Sequence, residues 1–160
     1  MGTHHVGKAA EVRAMNTYIK LMRASESVSS RLGRRVTSYG LTMSQFGALE
    51  ALYHLGPLHQ HELGEKILRS SGNITLVVDN LERQKLAERR RDTEDRRFVT
   101  VHLTPKGRKL IGDIFPSHVS AIEGEMGALT AQEQEDLGRL CRKLGLRQGT
   151  REAARPTSAD

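Results

Sequence analysis

Between Ala87 and Lys106 the chain gathers Arg89, Arg90, Arg91, Arg96, Arg97 and Lys106 around the acidic turn Asp92-Thr-Glu-Asp95. Cations packed this closely can neutralise a run of phosphates. Just upstream stand Ser70, Ser71, Asn73, Thr75, Leu76 and Asn80. Small polar side chains near the start of a helix can exchange hydrogen bonds with base edges in the major groove of DNA. A helix start also offers free N–H groups to a phosphate. For any single arginine the plainer reading is a solvated surface charge.

Other reactive groups point less far. Cys141 lies on the apolar stripe Leu137, Leu140, Leu144 and reads as a small buried hydrophobe rather than a redox sensor. His54, His59 and His61 lack the carboxylate spacing of a metal site, so no metal and no cofactor are expected. Ser70 or Ser71 paired with a histidine would need a glycine-flanked elbow and an orienting acid, and neither is present. The chain does not read as an enzyme.

The balance of charge supports a polyanion partner. Of 160 residues, 25 are Lys or Arg and 19 Asp or Glu, a formal net charge of +6. Residues 66–109 hold 12 basic and 6 acidic groups, which equals the whole net charge, while the flanking stretches nearly cancel. With 37% hydrophobic residues the chain can bury a core, and one cysteine excludes a disulfide framework. No apolar run approaches the roughly 18 residues that cross a bilayer, so a cytoplasmic protein with no membrane partner is expected.

These side chains need elements to hold them. Residues 8–39 read as one long helix, with Val12, Met15, Ile19, Met22, Val28, Leu32 and Val36 repeating at helical spacing. Thr42-Met-Ser-Gln45 is a capping box opening a second helix, and Gly56-Pro57 breaks it. A third helix is predicted over His61–Leu68. A fourth runs from the Arg69–Gly72 turn to Lys85, with Ile74, Val77, Val78 and Leu81 facing inward. That pair is the arrangement of a helix-turn-helix. Ala87–Arg91 and Phe98–Leu103 alternate like strands around a polar turn and make a wing. Thr104-Pro105 starts a fifth helix whose stripe is Ile111, Phe115, Val119, Ile122, Met126 and Leu129, kinked at Pro116. Thr130-Ala-Gln-Glu133 opens the last helix, and residues 149–160 read as a disordered tail.

The expected fold is therefore mostly α with a small β-wing. It divides into an N-terminal helix (1–41), a winged helix-turn-helix core (42–104) and C-terminal helices (105–148). The terminal stripes have too little of their own chain to cover them, and a second copy related by a two-fold axis is the simplest cover.

The stretch Asp92-Thr-Glu-Asp-Arg-Arg-Phe-Val-Thr-Val-His-Leu-Thr-Pro-Lys-Gly107 resembles the wing of the MarR family of bacterial transcription regulators. The family pattern falls on Asp95, Arg97, Val101, Leu103-Thr104 and Gly107. Leu63-Gly-Glu-Lys-Ile67 and Ser71–Glu82 resemble its helix-turn-helix. His59 stands where a Ser or Thr commonly caps the third helix, and Gly64 where Ala is usual. The resemblance implies a dimeric repressor of a palindromic operator that lets go when a small ligand binds. It implies that Arg97 enters the minor groove with Asp95 holding its guanidinium, and that Ser71, Asn73 and Thr75 lie in the major groove. Ser71-Gly-Asn-Ile-Thr75 is similar to the branch that answers quinones and phenolic compounds. The resemblance also places a ligand where helices one, two and five meet, here Met15, Ile19 and Met22 facing Phe46, Leu49 and Phe115. Core packing is the plainer role for each of those six. Two alternatives remain: a winged-helix module that binds nucleic acid or protein without sensing anything, and a small enzyme on the same helices.

Overall fold

The computed structural model describes residues 2–67, 74–91 and 99–146. Its elements run α1 (Ala9–Ser38), α2 (Met43–Leu55), β1 (Leu58–His59), α3 (Gln60–Lys66), α4 (Ile74–Arg83), β2 (Ala87–Arg91), β3 (Val99–Leu103), α5 (Pro105–Met126) and α6 (Ala131–Gly145). They fall into two compact units, Met1–Ile122 and Glu123–Asp160. The expected tail lies outside the described residues.

Local chemistry sets several of the boundaries. The Thr42 hydroxyl accepts from the Gln45 N–H at 3.2 Å while the Gln45 side chain accepts from the Thr42 N–H at 2.8 Å, closing the predicted capping box of α2. The backbone N–H of His59 donates to the Glu62 carboxylate at 3.0 Å, which closes the start of α3 from the Glu62 side despite the unusual cap. It begins at Gln60, one residue earlier than expected. Helix α4 stops two residues short of its predicted end. The Leu86 N–H reaches back to the Leu81 carbonyl at 2.9 Å, and Lys85 takes a left-handed φ of 58°. That closure normally carries glycine at the left-handed position.

The core lies in the first unit, where α2, α3, α4 and α5 meet the sheet. Phe46, Leu49, Leu52, Leu63, Val78, Leu81, Val101 and Ile111 are all but inaccessible to solvent. The sheet has three strands in the order β1-β3-β2, both pairings antiparallel. The register pairs Arg89 with Val101 and Leu58 with Val101 from the other side. Strand β1 was not expected: two residues carry no alternation, and only pairing with β3 makes them a strand.

Helix α5 packs on the sheet's connection at its first turn. A Cβ at Gly107 would overlap the carbonyl oxygen of Leu86 and sit 2.8 Å from its carbon, so the close approach requires glycine. The Thr104 hydroxyl donates to the Lys85 carbonyl at 2.7 Å and accepts from the Gly107 N–H at 3.0 Å, locking that turn to the end of α4. Helix α5 runs on through Pro116. Its buried face differs from the predicted stripe. Ile111, Ile114 and His118 face the core and Phe115 packs beside it, whereas Val119 and Ile122 are exposed.

In the second unit Thr130 caps α6, and the side chain of Gln134 donates to the Met126 and Leu129 carbonyls at 3.1 Å each. Hydrogen bonds from the Thr130 N–H and then its hydroxyl hold the Glu133 carboxyl below its usual range. No residue of α6 is buried; Leu137, Leu140 and Leu144 are exposed. Cys141 is exposed too, which corrects the expectation of a buried thiol. The stripe it lies on is apolar and exposed.

Candidate nucleic-acid interface

Helix α4 is amphipathic in the sense a reading helix needs. Val77, Val78 and Leu81 are buried, so the back of the helix is anchored in the core. The opposite face presents Thr75 and Leu76 to solvent and Asn80 half-exposed. The Asn80 side-chain oxygen accepts from Arg83 at 2.7 Å, which leaves its amide hydrogens as the outward donors. Leu76 offers apolar contact of the kind a thymine methyl accepts. Ser70, Ser71 and Asn73 lie outside the described residues.

Next to this face β2 carries the three arginines, and the structure separates them. Arg91 is exposed at the end of the strand. Arg90 is exposed and ion-pairs with Glu88, its Nε donating at 2.8 Å. Arg89 is different. Its backbone N–H and its Nη1 both donate to Glu82, at 2.7 and 2.5 Å, and Nη1 also donates to Asp79 at 2.6 Å. Its Nε donates to the Gln60 side-chain oxygen at 2.9 Å, and Nη2 to the Thr75 carbonyl at 3.3 Å. Arg89 was expected to neutralise phosphate; instead its charge is spent inside the protein, joining the wing strand to α4 and α3.

Lys106 donates from Nζ to the Gln84 carbonyl at 2.9 Å, near the C-terminal end of α4 where the helix dipole is negative. It remains exposed beside the wing. His102 on β3 is held below its ordinary pKa by burial and by Arg90, with Glu88 opposing, so it adds no charge at neutral pH. Asp95, Arg96 and Arg97 lie outside the described residues.

The six residues expected around a ligand fall into two groups. Phe46 and Leu49 are fully buried and Phe115 packs beside them, all within the core cluster. Met15 and Met22 are 42% and 49% exposed, and neither they nor Ile19 belong to that cluster. The reason is length: at 1.5 Å per residue, Met15 lies roughly 30 Å along α1 from Val36, where the helix enters the core. The group that does face Phe46 is His118, ring centroids 4.3 Å apart, and it was missed because a histidine breaks an apolar stripe. His54 packs on Phe115 at 4.7 Å and on Tyr53 at 5.1 Å, and His59 stacks on His61 at 6.0 Å.

A helix-turn-helix followed by a two-stranded wing finds its counterpart among known proteins. Residues 41–99 match the sequence profile of the MarR family. The HTH-type transcriptional regulator MhqR of Bacillus subtilis is 35% identical over 134 residues, covering 84% of this chain and 92% of that protein. The chain belongs to the MarR family. It is thereby a DNA-binding regulator of transcription. A second Bacillus subtilis regulator, YkoM, is 38% identical over 134 residues, with 84% and 87% of the two chains covered. Among solved structures, Bordetella bronchiseptica BpsR, described for regulation of its DNA binding by 6-hydroxynicotinic acid, is 26% identical. It aligns with a TM-score of 0.72 over 81% of this chain and 98% of its own. Streptomyces coelicolor Sco3205, solved in complex with DNA, shares the fold at 21% identity and a TM-score of 0.78, covering 92% and 95%.

Within this MarR-family protein, Val77, Val78 and Leu81 of α4 are buried as the sequence spacing predicts, Ile74 is half-buried, and the clamp beside the helix was missed. Gln60, Asp79 and Glu82 gave no signal as site residues, since each reads as an ordinary surface polar group until β2 folds against α4.

Proposed function

We propose that the protein is a homodimeric repressor that reads a palindromic operator and is released by a small phenolic or quinone-like ligand. One observation carries the reading: Thr75, Leu76 and Asn80 face solvent on a helix whose back is buried. A major groove admits such a helix and gives each base pair its own pattern of donors and acceptors. Arg90, Lys106 and the wing residues Arg96 and Arg97 would hold phosphates and the minor groove, with Asp95 orienting Arg97. Ser70, Ser71 and Asn73 would join Thr75 in the major groove.

The dimer is supported by α6, none of whose residues is buried and whose Leu137, Leu140 and Leu144 are exposed. The exposed Met15, Tyr18 and Met22 of α1 are a second uncovered apolar face. Ligand release is supported by BpsR, whose regulator is a hydroxylated aromatic acid. An apolar site formed where a partner covers Met15 and Met22 would suit a flat aromatic, methionine being adaptable. A ligand there acts only as far as it prefers the conformation that does not fit DNA.

The test is fluorescence anisotropy on a duplex selected by the protein and on a scrambled one. Asn73→Ala should narrow the gap between the two, and Arg97→Ala should weaken the selected duplex by about 1–3 kcal/mol. A hydroquinone or benzoquinone should release the wild type and Cys141→Ser alike. Equal affinity for both duplexes overturns sequence-specific reading; loss of release in Cys141→Ser makes the protein a thiol sensor.

A further inference from the structure

Arg89 is held at both ends. Its backbone N–H donates to one oxygen of the Glu82 carboxylate at 2.7 Å, and its Nη1 donates to the other at 2.5 Å. Nη1 also donates to Asp79 at 2.6 Å, and Nη2 to the Thr75 carbonyl at 3.3 Å. Thr75, Asp79 and Glu82 follow one another at spacings of four and three, so the guanidinium lies along one flank of α4. From α3 the Gln60 side-chain oxygen takes the Nε hydrogen at 2.9 Å. A planar group bound through Nε and both terminal nitrogens cannot slide or pivot without breaking several bonds at once. The place of this hold on the strand matters. Along β2, Ala87 is buried, Glu88 and Arg89 are half-buried, and Arg90 and Arg91 are exposed. Strand β1 backs the hairpin only at Val101 and Thr100, the partners of Arg89 and Arg90. Arg91 opposite Val99 belongs to a two-stranded ribbon, which is marginally stable by itself. Arg89 is therefore the outermost half-buried residue of β2, and it is tied to the helices, whereas Arg90 pairs with Glu88 of its own strand.

We propose that Arg89 is a positioning residue for DNA binding. By fixing the angle of β2 against α4, it presents the exposed cations Arg90 and Arg91 and the exposed face of α4 to one duplex as a preset pair. Without it the strand is ordered against the helix only at the moment of binding, and affinity falls by that ordering cost. The phosphate contacts themselves are kept, because Arg89 is not one of them. The inference rests on the DNA-reading assignment of α4 and adds to it what holds the second contact in place.

The experiment joins a mobility probe to a binding measurement on the full chain. In a Cys141→Ser background, a nitroxide attached at Arg91→Cys should give a broad, slow-motion electron paramagnetic resonance spectrum. Arg89→Ala should sharpen it, while a nitroxide at Glu65→Cys, exposed on α3, keeps its spectrum. In fluorescence anisotropy on the unlabelled protein, Arg89→Ala should bind the selected duplex about five- to thirtyfold more weakly, the equivalent of ordering one residue's backbone. The slope of log K against log salt should not change. Both readings are taken where circular dichroism shows the variant fully folded, so a lowered stability alone moves neither. Glu82→Gln keeps an acceptor for the Arg89 N–H and removes one charge. It should shift both readings the same way by less, and it carries the test where Arg89→Ala does not fold. An unchanged Arg91 spectrum or an unchanged affinity in the folded variant overturns the proposal. A salt slope shallower by about one in Arg89→Ala overturns it too, since Arg89 would then be a phosphate contact. Equal affinity of wild type for the selected and scrambled duplexes overturns the reading assignment of α4 itself, and the proposal with it, whatever the spectra show.

Discussion

Replacing Arg89 with alanine leaves Asp79 and Glu82 facing each other across the space the guanidinium filled. Both carboxylate oxygens sit on Nη1, at 2.6 and 2.5 Å, so they lie at most about 5 Å apart. Two negative charges at that distance repel by about 3 kcal/mol at an effective dielectric of 20 and by under about 1 kcal/mol in water. The side chains of Asp79 and Glu82 are 45% and 33% exposed, so the carboxylates can turn toward solvent and recover most of the difference. Repulsion then contributes about 1 kcal/mol. Losing the bonds to Gln60 and the Thr75 carbonyl contributes about as much again. The expected cost is about 1.5–3 kcal/mol, measured as a lower urea midpoint by circular dichroism. The same variant separates clamp from phosphate contact. Each phosphate contact removed should lower the slope of log K against log salt by about one. Arg90→Ala and Lys106→Ala should show that drop with stability nearly unchanged, and Arg89→Ala should show the reverse. An Arg89→Ala protein as stable as wild type, with a shallower salt slope, would refute the assignment of Arg89 to the interior.

Gly107→Ala should cost about 1–3 kcal/mol, seen as a fall in melting temperature, because the added methyl meets the backbone of Leu86 rather than a side chain that can move. His118 is only 6% exposed, and its pKa lies below the ordinary value of about 6.5 through burial, with Glu50 opposing and Arg35 reinforcing the shift. The unfolded chain then binds the proton first, so stability should be full above about pH 6.5 and decline as pH falls through the folded-state pKa. Urea midpoints from about pH 7.5 to about pH 5 should fall less steeply in His118→Leu, and identical slopes would exclude a role for this ring. Leu140→Asp should convert a wild-type dimer to monomer in sedimentation velocity, with α6 helicity retained; a monomeric wild type at micromolar concentration contradicts the dimer.

How much of this was legible in the chain depends on how far apart the interacting groups lie. Caps join residues three apart, so Thr42 with Gln45 and Thr130 with Glu133 could be read directly, and both closures form. The same holds for the back of α4, where Val77, Val78 and Leu81 recur at the helical period and are buried together. Periodicity says that a face is apolar; it does not say what covers it. The stripe of α5 is continuous in sequence, yet Ile111 lies in the core while Val119 and Ile122 face solvent.

The rest required the chain to fold back on itself. Strand β1 is two residues defined wholly by hydrogen bonds to β3, more than forty residues on. Arg89, Arg90 and Arg91 are equivalent as letters; alternation along a strand puts Arg89 and Arg91 on one side and Arg90 on the other, and Arg91 stands at the exposed end of the strand. Which side meets carboxylates is decided by β2 lying against α4, and Gln60, 29 residues away, enters only through that packing. Sequence alone therefore determined that a basic strand pair follows an amphipathic helix. Tertiary structure decided which arginine is clamped between two carboxylates of the neighbouring helix.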